Sequence, residues 1–167
     1  MQKIALSLLM VLFLFVVCSK DDQPAETYEY TKNNLLGKYS LTSWRYEETI
    51  TEEVRGFEVK TTKVLIGDTF DMFLTFNEDN TLVYDGAFRV TQTITQNNQT
   101  VDSTYILVKN QEVAEYSVRT SSNELKIDEL MYDVTNFNPR GFDLNLNEIT
   151  IEDDVITEVL FQASLKR

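Results

Sequence analysis

Residues 70–90 read FDMFLTFNEDNTLVYDGAFRV. Before the central NEDN, Phe70, Met72, Leu74 and Phe76 share one parity; after it, Leu82, Tyr84, Phe88 and Val90 do the same, with Gly86 in register among them. A period of two marks a strand with one buried face. Between the two runs, residues 77–80 are turn formers, and Asn80 is a residue that tolerates the left-handed conformation tight hairpins demand. The stretch therefore predicts an antiparallel hairpin.

The same design recurs to the end of the chain. Ile94 extends the second run, and Ala114, Tyr116 and Val118 form another. They are followed by Leu125 and Ile127, by Phe142, Leu144 and Leu146, by Ile149 and Ile151, and by Val159, Phe161, Ala163 and Leu165. Turn residues separate them at 97–98, at 121–123 and in NPRGF, residues 138–142. The change of apolar parity between Leu146 and Ile149 predicts a turn or bulge at Asn147 and Glu148. No segment after residue 35 keeps a 3.6-residue stripe over three turns, so little helix is expected. The fold class expected is all-β, with about eight to ten strands in up-and-down order, a meander that closes into a barrel or splits into a sandwich.

Within that frame LLGKYSLTS (residues 35–43), FNEDNT (76–81), SSNELKI (121–127) and the closing VLFQASLKR (159–167) resemble, in this order, the lipocalin-like domains of bacterial envelope lipoproteins. Tyr39 stands where those proteins place a tryptophan, and Trp44 follows five residues later; it reads as a core or rim aromatic. The resemblance implies an antiparallel up-and-down lipocalin-like β-barrel over residues 35–167. It also implies binding of a small hydrophobic or amphipathic ligand.

The N-terminal stretch IALSLLMVLFLFVVCSKDDQ, residues 4–23, fixes the expected address. A membrane span needs about 20 apolar residues, and the run at 4–17 is shorter. With Lys3 before it, it has the layout of an export signal. FVVCSKDD resembles the signal of bacterial lipoproteins, in which the cysteine is acylated and becomes the mature N-terminus. SKDD resembles the acidic sorting signals of some Gram-negative lipoproteins. The expected organisation is a lipoprotein signal peptide at 1–17, a lipidated Cys18 with a flexible tether over 18–34, and the barrel at 35–167. The implied location is the cell envelope, lipid-anchored at the outer membrane. Two or more acyl chains, at about 0.8 kcal/mol per buried methylene, anchor stably where one does not.

Composition narrows the function classes. The chain has 15 Lys plus Arg against 27 Asp plus Glu, a net charge of −12. Without Lys3 the mature form would carry 14 against 27, or −13. Such a surface repels phosphate backbones, so no nucleic-acid partner is expected. Histidine is absent, which removes the triads that need it, histidine metal sites and the commonest acid/base near neutral pH. The five glycines are scattered singly, so no phosphate loop is present. Adjacent carboxylates at 47–48, 52–53, 128–129 and 152–154 point to opposite faces of a strand and do not by themselves make a glycosidase pair. No enzyme activity, metal or cofactor is expected.

Ten phenylalanines and eight tyrosines remain to be placed. An eight-stranded barrel is just wide enough to fill with side chains or to hold one small ligand. The aromatics on the apolar parity, Phe70, Phe76, Tyr84, Phe88, Tyr116 and Phe161, are the expected ligand-binding residues. The alternative is a filled barrel that docks an envelope protein or glycan through exposed aromatics such as Tyr46, Phe73 and Tyr132.

Overall fold

The computed structural model describes residues 28–167, so the expected signal peptide at 1–17 and the expected lipidation site Cys18 lie outside the described residues. A short helix, α1 (Lys32–Leu35), precedes eight strands: β1 (Gly37–Val54), β2 (Phe57–Phe76), β3 (Thr81–Gln96), β4 (Gln99–Arg119), β5 (Glu124–Ile127), β6 (Leu130–Asn138), β7 (Gly141–Glu152) and β8 (Val155–Lys166). Each pairs antiparallel with the next, and β8 pairs back onto β1 to close the barrel. The all-β up-and-down architecture with about eight strands is thus present.

Turn chemistry sets the connections. Three hairpins turn at one end through residue pairs with positive φ: Arg55–Gly56, Asn97–Asn98 and Asp153–Asp154. That geometry suits a two-residue type I′ turn, whose twist matches the flanking strands. At the opposite end Asn80 has φ 68° and Asn123 φ 53°, as the sequence required of them. Asp79 caps the first of these turns, accepting from the Thr81 amide at 3.1 Å and the Thr81 hydroxyl at 2.6 Å.

The inside is apolar: Tyr39, Leu41, Met72, Leu74, Phe76, Leu82, Val90, Leu144 and Leu165 are buried. The outside is ringed by exposed charge, including Lys38, Asp71, Asp85, Arg89, Glu115, Arg119, Asp133 and Lys166. Around the lower barrel this is the reverse of a membrane-spanning barrel, which carries an apolar band outward and polar groups within; higher up, Ile66, Ile106, Val108, Ile149 and Ile151 are exposed.

The parity change in β7 has a different cause from the one expected. β7 pairs with β8 residue for residue from Gly141↔Lys166 to Glu152↔Val155, with neither turn nor bulge at Asn147 and Glu148. Ile149 and Ile151 simply lie on the opposite face from Leu144 and Leu146, and both are exposed.

The tether boundary also moves. Residues 28–34 pack on the barrel's closed base and are not free chain. Tyr30 is buried, edge-on to Phe137 at 5.0 Å, and its hydroxyl donates to the Glu124 carbonyl at 3.2 Å. Tyr28 stacks on Phe137 at 5.3 Å. Thr31 caps α1 by accepting from the Asn34 amide at 3.3 Å, which seats Leu35 in the core. From the last residue, the Arg167 guanidinium donates to the Asn34 and Leu36 carbonyls at 2.6 and 2.9 Å. Aromatic side chains in an otherwise polar segment supply this docking.

Candidate functional site: an apolar cavity at the barrel's open side

Strand lengths decide where the barrel opens. At about 3.3 Å per residue, β4 is roughly 70 Å long and β5 roughly 13 Å. β5 and β6 therefore wall only the lower barrel. Above their turn, the other six strands continue as a curved sheet. At this low side lies a cavity of about 290 Å³.

Its walls come from every part of the barrel. Leu41, Trp44, Met72, Leu74, Phe88, Leu107, Leu144 and Phe161 give the apolar surface, and Tyr84 and Tyr132 bring phenols. Lys109, Glu112 and Asp128 supply the charged lining. Lys109 donates to both Glu112 carboxylate oxygens at 2.6 and 2.7 Å, so these two charges offset each other. Asp128 accepts from the Glu115 amide at 3.0 Å. Neither the Tyr84 nor the Tyr132 hydroxyl has a hydrogen-bond partner among the described residues. No buried side-chain N or O there lacks a partner, so both hydroxyls reach solvent. Burial raises the Tyr84 pKa, with smaller contributions from Tyr132, Asp128 and Glu112. Burial and Asp128 raise that of Tyr132. Both phenols, like any tyrosine, are neutral hydrogen-bond donors at pH 7.

Of the six aromatics expected to bind a ligand, Tyr84, Phe88 and Phe161 line the cavity. Phe70 stands behind this wall. It follows a kink at Thr69, φ 52°, where the β2–β3 register shifts, and packs on Phe88 at 5.4 Å. Phe76 and Tyr116 lie elsewhere: they meet edge-on at 5.1 Å in the base, beside Tyr39 and Phe142. The Tyr116 hydroxyl donates to the Asn77 carbonyl at 2.7 Å. These two belong to the filled half of the barrel and not to the cavity.

Other lining residues were missed. Trp44 faces inward because the β1–β8 register shifts between Leu41 and Ser43, which brings the ring to 5.3 Å from Phe88. Leu107 and Ala114 both face inward despite opposite parity because the register shifts again near Gln111, φ 52°. Comparing the parity of neighbouring apolar residues would have exposed both bulges. Tyr132 and Tyr46 are half-buried against the core and do not form an exposed aromatic patch.

No family model matches the chain, and no curated protein matches it. Two solved structures show a distant likeness: Ail, the attachment invasion locus protein of Yersinia pestis, and the same protein in complex with the heparin analogue sucrose octasulfate. Each is 10% identical, covers 79% of this chain and 99% of its own, and overlaps with a TM-score of 0.26. A TM-score that low carries no functional inference.

Proposed function

We propose that this chain is a lipid-anchored envelope lipoprotein whose lipocalin-like barrel binds one small amphipathic ligand without catalysis. The observation that carries the reading is the apolar cavity of about 290 Å³ with two neutral phenols among its lining groups. Ligand sites are mostly apolar concavities of about 300–1,000 Å³ with a few placed polar groups, so this one would suit a compact guest. The apolar part would lie against Phe88, Trp44 and Phe161. A hydrogen-bond-accepting head would meet Tyr84 and Tyr132. Acylation of Cys18 would hold the protein at the outer membrane, with the barrel base facing the membrane because residues 28–34 dock there.

Native mass spectrometry tests both parts. A protein starting at Ser19, exported through its own envelope and purified without detergent, is expected to carry extra mass that denaturation removes. Ala163→Phe, which fills the cavity from its wall, should lose that mass and any Trp44 fluorescence response to added decanoate. A bare protein with no Trp44 response to decanoate or dodecylamine overturns the ligand reading. The full-length protein should show an acylated N-terminal cysteine that Cys18→Ser abolishes; acylation persisting in that variant overturns the anchor.

A further inference from the structure

Above the short β5–β6 hairpin, the sheet has two open edges. β4 meets β5 only over Tyr116–Arg119, which leaves residues 99–113 without a ladder partner on that side. β7 meets β6 only up to Asn145, which leaves residues 146–152 in the same state. The turns fix which backbone groups point outward. In a two-residue hairpin the flanking pair is hydrogen-bonded, and the bonding alternates from there. From the Asn97–Asn98 turn with its closing pair Gln96↔Gln99, residues 101, 103, 105 and 107 bond to β3. Thr100, Asp102, Thr104, Ile106 and Val108 therefore present N–H and C=O groups to open space. By the same count from Asp153–Asp154 and Glu152↔Val155, Asn147, Ile149 and Ile151 do so on β7.

Protein edges of this length are ordinarily blunted by lysine, proline or strong bulges. Here Thr100, Asp102 and Thr104 are small or polar, and Ile106 and Val108 are apolar and bare, at 59% and 55% exposed on β4. Among the β4 positions that point outward, Asp102 alone is charged. Water can satisfy such groups one by one, and an added extended strand satisfies them as a row. Charge selects its kind. The tips at this end carry Glu52, Glu53, Glu58, Glu152, Asp153 and Asp154 against Arg55 and Lys60. With a net charge of −12, a second copy would bring like charge onto like.

We infer that the β4 edge over residues 100–108 accepts an extended strand from a partner protein, apolar at its centre and flanked by lysine or arginine. The added strand would continue the sheet beside Tyr105 and Leu107 on the concave face and Ile106 and Val108 on the convex one. Its basic end beyond Thr100 would lie on the side of the acidic β1–β2 and β7–β8 tips, the β3–β4 tip itself, residues 96–99, being uncharged.

Two fluorescent peptides test this: alternating Val and Thr flanked by lysines, and the same core flanked by glutamates. The lysine peptide should bind at least about tenfold more tightly, and added salt should narrow the gap. It should also slow hydrogen exchange at the Thr104 and Ile106 amides but not at Tyr105. Thr104→Pro removes an outward N–H at a position where the β3 ladder is untouched and edge geometry tolerates proline. It should weaken binding by about tenfold, the worth of one lost hydrogen bond, whereas Thr104→Ala should not. Equal binding of both peptides, no binding, or binding without protection of those amides overturns the inference. So does a peptide-free dimer that protects the same amides, since a second copy would then be the occupant. Exchange in the unaltered protein decides the matter even if Thr104→Pro fails to fold.

Discussion

Gly86 shows how much one residue can carry in a barrel wall. It sits at φ +118°, and a Cβ placed there would stand 2.0 Å from the Asp71 carbonyl oxygen. The contact is with backbone, so no side-chain rotation relieves it. The register shifts on both sides of β3 nearby, between Asp68 and Asp71 and between Tyr84 and Gly86. The first shift turns Phe70 onto Phe88 behind the cavity wall, and the second lets Leu107 and Ala114 both face inward. Gly86→Ala must separate β2 from β3 there, and is expected to cost about 2–4 kcal/mol, within the range of severe steric and backbone substitutions. Gly56→Ala is the comparison: φ is +82° but nothing lies within 4 Å, so only the strain of a left-handed L-residue, about 1–2 kcal/mol, applies. Urea midpoints decide. If the two variants lose equal stability, the close approach of β2 and β3 at Gly86 is wrong.

At the level of elements, alternation in the sequence reports which face a residue takes, and not how high along the barrel it sits. Parity correctly turned Phe76 and Tyr116 inward, but only the shortness of β5 and β6 determines that the cavity lies above them. β6 itself was not foreseen, although Tyr132, Val134 and Phe137 all pack on the core. The parity break between Val134 and Phe137 comes with a register shift and with Asn136 at φ 54°. The N-terminal segment hid for another reason. Its composition is polar, and the docking rests on Tyr28, Tyr30 and Leu35 finding an aromatic base formed by distant strands. Tyr30→Ala removes a buried ring as well as a hydrogen bond to β5. By analogy with truncation of buried aromatics it should lower stability by about 3–5 kcal/mol. A loss below about 1 kcal/mol, the scale of ordinary surface substitutions, in chemical denaturation would mean that residues 28–34 are not integral to the fold.

The whole molecule gathers its tyrosines into one pH-dependent property. Tyr30, Tyr39, Tyr46, Tyr84, Tyr116 and Tyr132 all have pKa values raised primarily by burial, spread from the docked N-terminal segment through the base to the cavity. A raised pKa in the folded state means that the folded chain keeps its phenolic protons where the unfolded chain has released them. Their contribution is fully present below the ordinary tyrosine value near 10 and is lost as pH rises beyond it. Each phenol still protonated in the fold lowers stability by about 1.4 kcal/mol per pH unit in that window. Tyr30, Tyr39 and Tyr116 are buried in the packed base and cannot ionise without opening it, and every ionisation adds to a net charge already at −12. Tyrosinate absorbance at 295 nm should therefore contain a steep, cooperative component that coincides with loss of the sheet signal in circular dichroism. Gradual titration of all the phenols around pH 10 with the sheet intact would show that the rings lie in water, and would remove the packed aromatic base.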